Sequence, residues 1–145
     1  MEKRLLLVLV VVVIFVSVVA FAAMQTMLTI PNTSTITTTG MLTAYQNANL
    51  STVATSFDWG PLFPAQHAYQ IIYIKNNHPE VAFTLTMSAS DWSPSNITDY
   101  CSLTWNCTGY LLAPLASVCA NFTLYTFDNA TSSSFSFDIM ISGST

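Results

Sequence analysis

Hydrophobic and polar residues alternate along much of the chain, which is the pattern of half-buried β-strands. In SSFSFDIMIS the residues Phe135, Phe137, Ile139 and Ile141 share one face. The segments VAFTLTMS, CSLTW and VCANFTLYTF alternate in the same way, whereas HAYQIIYIK is apolar on both faces over residues 71–74 and predicts a strand covered on each side.

Turn sequences rich in Gly, Pro, Asn and Asp separate these segments, and no amphipathic helix follows residue 24. The pattern therefore predicts an all-β fold. We expect one antiparallel β-sandwich, jelly-roll or immunoglobulin-like, over residues 40–145.

The N-terminus has a different pattern, because Met1 and three charged residues are followed by an apolar run from Leu5 to Met24. Such a run is an export signal or a membrane anchor. Ala20, Phe21 and Ala22 form a small-x-small cleavage site, yet the run also reaches the length of a membrane-spanning helix. Residues 1–23 are interpreted as one or the other, and both place the remaining chain outside the cytoplasm.

A short alternating segment lies between this run and the domain. Met24, Leu28 and Ile30 would share one face of an extended strand for which the sequence shows no partner. The Thr-rich residues 33–39 are too polar for a core and are interpreted as a tether. We therefore treat residues 24–39 as a separate strand and tether, with a flexible spacer above a membrane as the alternative.

Charge is scarce, since the 145 residues include only 3 Lys plus Arg and 7 Asp plus Glu. Removal of a signal would leave Lys75 as the sole basic residue, which excludes a surface that tracks nucleic-acid phosphates. Disorder is excluded as well, because 52% of the residues are hydrophobic and they alternate with polar ones.

Uncharged polar residues must then supply solubility, and N-linked sugar is one source of it. Six Asn residues stand in N-x-Ser/Thr sequons, which is more than chance supplies. They are Asn32, Asn49, Asn96, Asn106, Asn121 and Asn129. We predict that these residues carry glycans over the weakly charged surface.

Three Cys residues in an exported chain favour one disulfide and one remaining thiol. Strand parity places Cys101 on one face with Leu103 and Trp105, and Cys119 on the outward face of its strand. Because residues on opposite faces cannot be bridged, we predict a disulfide between Cys107 and Cys119 and a buried Cys101.

Residues for chemistry are few. His67 and His78 are eleven positions apart and lie in no ligand-spaced motif, and the acidic residues are scattered singly. There is no G-x-S-x-G elbow. We therefore predict no catalytic residue, no metal site and no cofactor.

Several short motifs carry a family resemblance. They are FDWGPLFP at 57–64, IYIKN at 72–76, TLT at 84–86, DWSP at 91–94, LTW at 103–105, LAP at 112–114 and FSFDI at 135–139. Together they resemble the β-sandwich of archaeal bundling pilins, which in turn resemble the TasA-like biofilm-matrix proteins of bacteria. The resemblance covers residues 40–143. This chain departs from the family pattern in its three Cys and at residues 62–65, where Leu-Phe-Pro-Ala replaces an expected Pro-Gly.

The resemblance implies a secreted subunit that polymerises by donor-strand exchange into an extracellular filament on the cell surface, for adhesion or biofilm. The partners would be identical subunits, with lateral bundling between filaments. Met24, Leu28 and Ile30 would enter a groove of the neighbouring subunit, which gives the segment without a partner a role.

Two other classes remain open at this stage. A type IV-like pilin would be cut after Arg4 and would keep residues 5–24 as a helix in the filament core. A membrane-anchored, glycosylated surface domain would keep residues 1–24 and stay monomeric. The N-terminal residue of the exported protein distinguishes the three.

Overall fold

The computed structural model describes residues 32–130 and 134–145, which form nine β-strands and one short 3-10 helix. The strands are β1 Asn32–Thr38, β2 Leu42–Tyr45, β3 Ser56–Asp58, β4 His67–Asn76, β5 Phe83–Ser93, β6 Cys101–Trp105, β7 Leu111–Leu112, β8 Ser117–Thr126 and β9 Phe135–Ser144. The 3-10 helix, Ser95–Asp99, lies between β5 and β6. Met24, Leu28 and Ile30 lie outside the described residues.

The strands form two sheets that pack face to face as a β-sandwich. One sheet has five strands in the order β3-β1-β9-β5-β7, and the other has four in the order β2-β4-β8-β6. All strand pairs are antiparallel except β1 with β9, which is parallel. The predicted antiparallel sandwich is thus confirmed, with one parallel exception.

Alternating residues of the long strands build the core between the sheets. In β9 the inward residues are Phe135, Phe137, Ile139 and Ile141, and all four are buried as their parity predicted. In β8 the inward residues are Ala120, Phe122 and Leu124, which are also buried.

Aromatic rings fill the middle of this core. Phe57 lies 5.2 Å from Trp59 and 5.3 Å from Phe122, measured between ring centroids, in edge-on geometry. Trp92 stacks on Phe137 at 4.1 Å. Because Trp59 and Trp92 pack against core residues, they add apolar burial to the core.

β4 differs from the prediction of a strand covered on both faces. Ile72 and Ile74 are buried between the sheets, but Ile71 is 51% exposed and Tyr69 is 61% exposed. The reason is that the described residues form two layers only, so nothing covers the outer face of the four-stranded sheet.

The Thr-rich segment is the second correction. Residues 33–39 were predicted to be a tether outside the sandwich, but Asn32–Thr38 is β1, hydrogen-bonded between β3 and β9. Asn32, Ser34 and Ile36 point inward and are buried. The domain therefore begins at or before Asn32. Polar side chains can occupy these inward positions when they have hydrogen-bond partners.

The sandwich has two ends, one beside Asn32 and the other beside Gly40. At the Asn32 end, β1 and β9 begin side by side, with Asn32 opposite Phe135. At the Gly40 end, β1 turns into β2, and Asn77 donates its backbone N–H to Met41 at 2.8 Å. Because β9 runs parallel to β1, it starts at the Asn32 end and finishes at the Gly40 end.

Candidate assembly interface

β1 is held in the five-stranded sheet by specific polar contacts as well as by its ladder. The Trp59 indole N–H donates to Ser34 Oγ at 3.1 Å in a buried position. The backbone N–H of Phe135 donates to Asn32 Oδ1 at 3.3 Å, and that of Trp59 donates to the Asn32 carbonyl at 3.1 Å. Such buried polar contacts fix the register of a strand that contributes little apolar area.

The position of Asn32 shows at which end of the sandwich the preceding residues are attached. Asn32 lies at one end of the sandwich, and only Pro31 separates it from Ile30. The segment that contains Met24, Leu28 and Ile30 therefore joins the domain at the Asn32 end, opposite the end where the C-terminal strand finishes.

The first part of β4 is a sheet edge. β2 pairs with β4 only over residues 73–76, from Tyr45 opposite Tyr73 to Leu42 opposite Asn76. Residues 67–72 pair with β8 on one side, and no described strand pairs with them on the other. An unpaired edge presents backbone N–H and C=O groups that can accept a further strand.

A cleft of about 300 Å³ lies between this edge and β3, and we call it the β3–β4 cleft. It is lined by Gln46, by Ser56–Asp58 and by residues 70–72. The side-chain amide of Gln70 donates to the Asp58 carbonyl at 2.6 Å, joining its two walls. Phe57 and Ile72 are buried, so the cleft combines an apolar base with an open strand edge.

The outer face of the four-stranded sheet continues from this edge as an aromatic surface. His67 stacks on Tyr125 at 4.5 Å between ring centroids and on Tyr69 at 6.2 Å. His67 is exposed.

The predicted glycosylation residues divide by exposure. Asn32 is only 1% exposed and accepts the Phe135 N–H, so the prediction of a glycan at Asn32 is wrong for the folded domain: the core leaves no room for one. Asn121 is half-buried, and its Oδ1 is buried without a hydrogen-bond partner. The remaining four are exposed: Asn49, Asn96, Asn106 and Asn129.

All three cysteines are free thiols in the structure. Cys101 is buried and Cys119 is exposed, as parity predicted. Cys107 is buried too, and its thiol lies 3.8 Å from the Cys119 carbonyl oxygen. The two residues are neighbours, and the disulfide between them stays a prediction.

The strand register excludes a disulfide between Cys101 and Cys119. Cys101 lies opposite Thr126, and Cys119 is seven residues away along β8. Seven residues of strand span roughly 23 Å, far beyond the Cα separation of about 7 Å that a disulfide bridges.

Burial also affects the pKa values of the thiols. It raises the pKa of Cys101 to about 11. It raises the pKa of Cys107 as well, and the neighbouring charge of Cys119 acts in the same direction. Cys101 and Cys107 are therefore poor nucleophiles near neutral pH.

Residues 32–130 and 134–145 contain no group of three His, Cys, Asp or Glu side chains placed to bind a metal ion. Asp58 accepts the Gly60 backbone N–H at 2.9 Å, which stabilises its own turn. Within the same ranges, no helix has the length and apolar character to span a membrane.

Comparison with protein-family models, curated proteins and solved structures gives no match. Two features of the structure were not foreseen from the sequence: the place of β1 in the sandwich and the open edge of β4. The Thr-rich stretch carried a signal for the first, because Ser34 and Ile36 alternate with β-branched Thr residues.

Proposed function

We propose that the protein is a structural subunit of an extracellular filament, assembled by donor-strand complementation between identical copies. In the proposal, residues 1–23 serve export, and the segment with Met24, Leu28 and Ile30 adds a strand to the sandwich of the next copy. The sandwich is of the jelly-roll or immunoglobulin-like type. The filament serves adhesion or biofilm, and bundles laterally with other filaments.

One observation carries the proposal: the alternating segment adjoins a sandwich whose inward positions beside β9 are already filled. Asn32, Ser34 and Ile36 of β1 occupy those positions. The apolar face of the preceding segment is therefore not needed for the described core. Its addition to a second sandwich would bury it, with ladder hydrogen bonds supplying affinity.

The position of the segment supports a chain of subunits. It joins the domain at the Asn32 end and would bind a different surface on the next copy. A contact between two different surfaces is heterologous, and unless its rotation closes a ring it produces an open filament.

The low charge of the chain supports close contact between copies. Lys75 is the only Lys or Arg after residue 4, and residues 5–57 contain no charged side chain. Association would then bury few charges, and burying unpaired charge is the main electrostatic cost of forming an interface.

The experiment replaces both Leu28 and Ile30 by Asp in the exported full-length protein. Filaments seen by electron microscopy should be lost, because two carboxylates cannot be buried in a partner without compensation. The matched control replaces Gln25 and Thr29 by Asp, which adds the same charge on the opposite face of the segment. We expect the control to form filaments.

N-terminal sequencing of the exported protein provides the second readout. A start near residue 23 agrees with the proposal. A start at Leu5 with filaments that survive Leu28→Asp and Ile30→Asp would contradict it and favour a helical-core pilin. A monomer that keeps residues 1–24 would favour an anchored surface domain.

A further inference from the structure

We infer that the β3–β4 cleft is the acceptor site, and that its occupant is the segment 24–30 of a second copy. This inference rests on the proposed function and adds the surface at which subunits join. The segment would lie along the unpaired edge of β4, with Met24, Leu28 and Ile30 facing into the cleft.

The backbone of β4 provides a ladder of matching length. Residues 67–72 have a strand partner on only one side, and the alternating segment is seven residues long. In an antiparallel pair, alternate residues direct their N–H and C=O groups away from the partner. Those groups of β4 are directed at the open edge and suit an incoming strand.

The side chains of the cleft match an apolar segment. Its base is formed by Phe57 and Ile72, which are 5% and 1% exposed, and Ile71 at its rim is 51% exposed. A strand that directs Leu28 and Ile30 at this base would place Gln25 and Thr29 toward solvent. Three of the four inward residues are then apolar, and two of the three outward residues are polar, with Met27 as the apolar exception.

Charge does not oppose this contact. Asp58 is the only charged residue of the cleft, and its carboxylate is engaged by the Gly60 N–H at 2.9 Å. The donor segment has no charged residue. The side-chain hydrogen bond from Gln70 to the Asp58 carbonyl spans the cleft and has to break to admit a strand.

The opposite side of the sandwich, between β5 and β6, is less suitable as a binding site for the donor segment. The 3-10 helix Ser95–Asp99 contacts both strands, and its Ile97 is buried at 4% exposure. This side therefore has its own helical cover, whereas on the β3–β4 side a cleft of about 300 Å³ remains beside the connections 46–55 and 59–66 that join the two sheets.

Geometry favours a second copy over the same chain. β3 lies between β1 and the cleft, so a position beyond β3 is at least about 10 Å from β1, because neighbouring strands are about 4.8 Å apart. The segment would have to reverse direction and cover this distance within Pro31, and one residue spans at most about 3.6 Å. The cleft is therefore filled in trans.

Photo-crosslinking tests the contact directly. The amino acid p-benzoylphenylalanine replaces Ile71, and the protein is assembled with an excess of isotope-labelled wild-type chain. After irradiation, mass spectrometry should find residues 24–30 of the labelled chain attached at position 71. The control replaces Leu115, which is 60% exposed elsewhere on the domain, and should give no such product.

A charge substitution supplies an independent measure. Ile71→Lys should reduce the amount of filament by at least about tenfold, which corresponds to 1.4 kcal/mol per junction. Leu115→Lys adds the same charge at a similarly exposed apolar residue and should leave assembly unchanged. Both side chains are outside the core, and equal Tm values would show that the fold is retained.

The outcomes separate this inference from the proposed function. Filaments that depend on Leu28 and Ile30 but tolerate Ile71→Lys and give no crosslink at position 71 would overturn the cleft and leave donor-strand assembly in place. A crosslink within one chain would overturn filling in trans. Wild-type protein without filaments or crosslinks would overturn both.

Discussion

The Trp59 indole N–H donates a hydrogen bond to Ser34 Oγ at 3.1 Å, and both residues are buried. The bond joins the second inward position of β1 to the residue that follows β3. Indole has a single donor, and in the core no water can replace a lost acceptor. The pair therefore ties the N-terminal strand to its own sandwich.

The first prediction concerns this bond. Ser34→Ala leaves the indole N–H without a partner, so the free energy of unfolding should fall by about 1–3 kcal/mol in urea denaturation. The control is Thr35→Ala, one residue away on the exposed face of β1, which should change it by less than about 0.5 kcal/mol. Equal effects of the two substitutions would show that β1 does not pack in its own domain in solution.

The second prediction concerns Gly143 in β9, where the chain passes very close to β5. A Cβ added there would lie 2.8 Å from Phe83 Cβ and 3.3 Å from Leu42 Cδ1. Gly143→Ala should therefore destabilise the domain by about 1–3 kcal/mol, because the crowded core must shift to admit it. Ser144→Ala, at the exposed end of the same strand, should be close to neutral in the same unfolding measurement.

The third prediction concerns glycans. Asn49, Asn96, Asn106 and Asn129 are exposed and should be occupied in the exported protein, whereas the buried Asn32 should not. Intact mass and glycopeptide mapping measure this. Each exposed Asn→Gln substitution should remove one glycan mass, and Asn32→Gln should remove none. A glycan on Asn32 would show that β1 is not buried when the sugar is attached.

The fourth prediction concerns the thiols. In the folded, reduced protein at pH 8, iodoacetamide should modify Cys119 first, because only this cysteine is exposed. With a pKa of about 11, Cys101 has about one thiolate per thousand molecules at this pH, and it is buried as well. Its labelling should appear only in denaturant or as the pH approaches 11.

Peptide mapping of the unreduced, exported protein completes this test. A bridge between Cys107 and Cys119 should be found, in agreement with the 3.8 Å approach of the Cys107 thiol to the Cys119 carbonyl. Cys101→Ala should leave the bridge intact and serves as the control. A bridge that includes Cys101 would contradict both the pairing and the strand register.

Strand parity predicted a large part of this fold because it depends only on local sequence. The inward residues of β8 and β9 follow it throughout their buried parts, as at Phe122 and Ile139. Turn residues also act locally, since the Asp58 carboxylate accepts the Gly60 N–H in the turn that ends β3. Such features need no knowledge of distant contacts.

The burial of the polar residues of β1 could not be predicted in this way. Ser34 is acceptable in the core only because Trp59, which is 25 residues away, donates to it. Asn32 depends in the same way on Phe135, at a distance of 103 residues. A sequence read locally assigns polar residues to the surface, because their buried partners are not visible in it.

The candidate acceptor site could not be predicted from the sequence either. It exists because β2 has four residues and β4 has ten, so that part of β4 remains unpaired. Strand lengths and sheet order depend on the whole fold. The apolar stretch at residues 71–74 predicts a strand covered on both faces, but Ile71 lies on the uncovered outer face of its sheet and is 51% exposed.

The parallel alignment of β1 with β9 has a mechanical consequence. A pull on the N-terminal segment would act along β1, whose seven residues pair with β9 throughout and with β3 near the start. Tension along a strand strains all of its ladder bonds together, so they cannot open one by one as in a zipper. In a filament the subunit would then resist stretching at the point where the load enters it, and single-molecule force spectroscopy should record one abrupt rupture rather than a series of small steps.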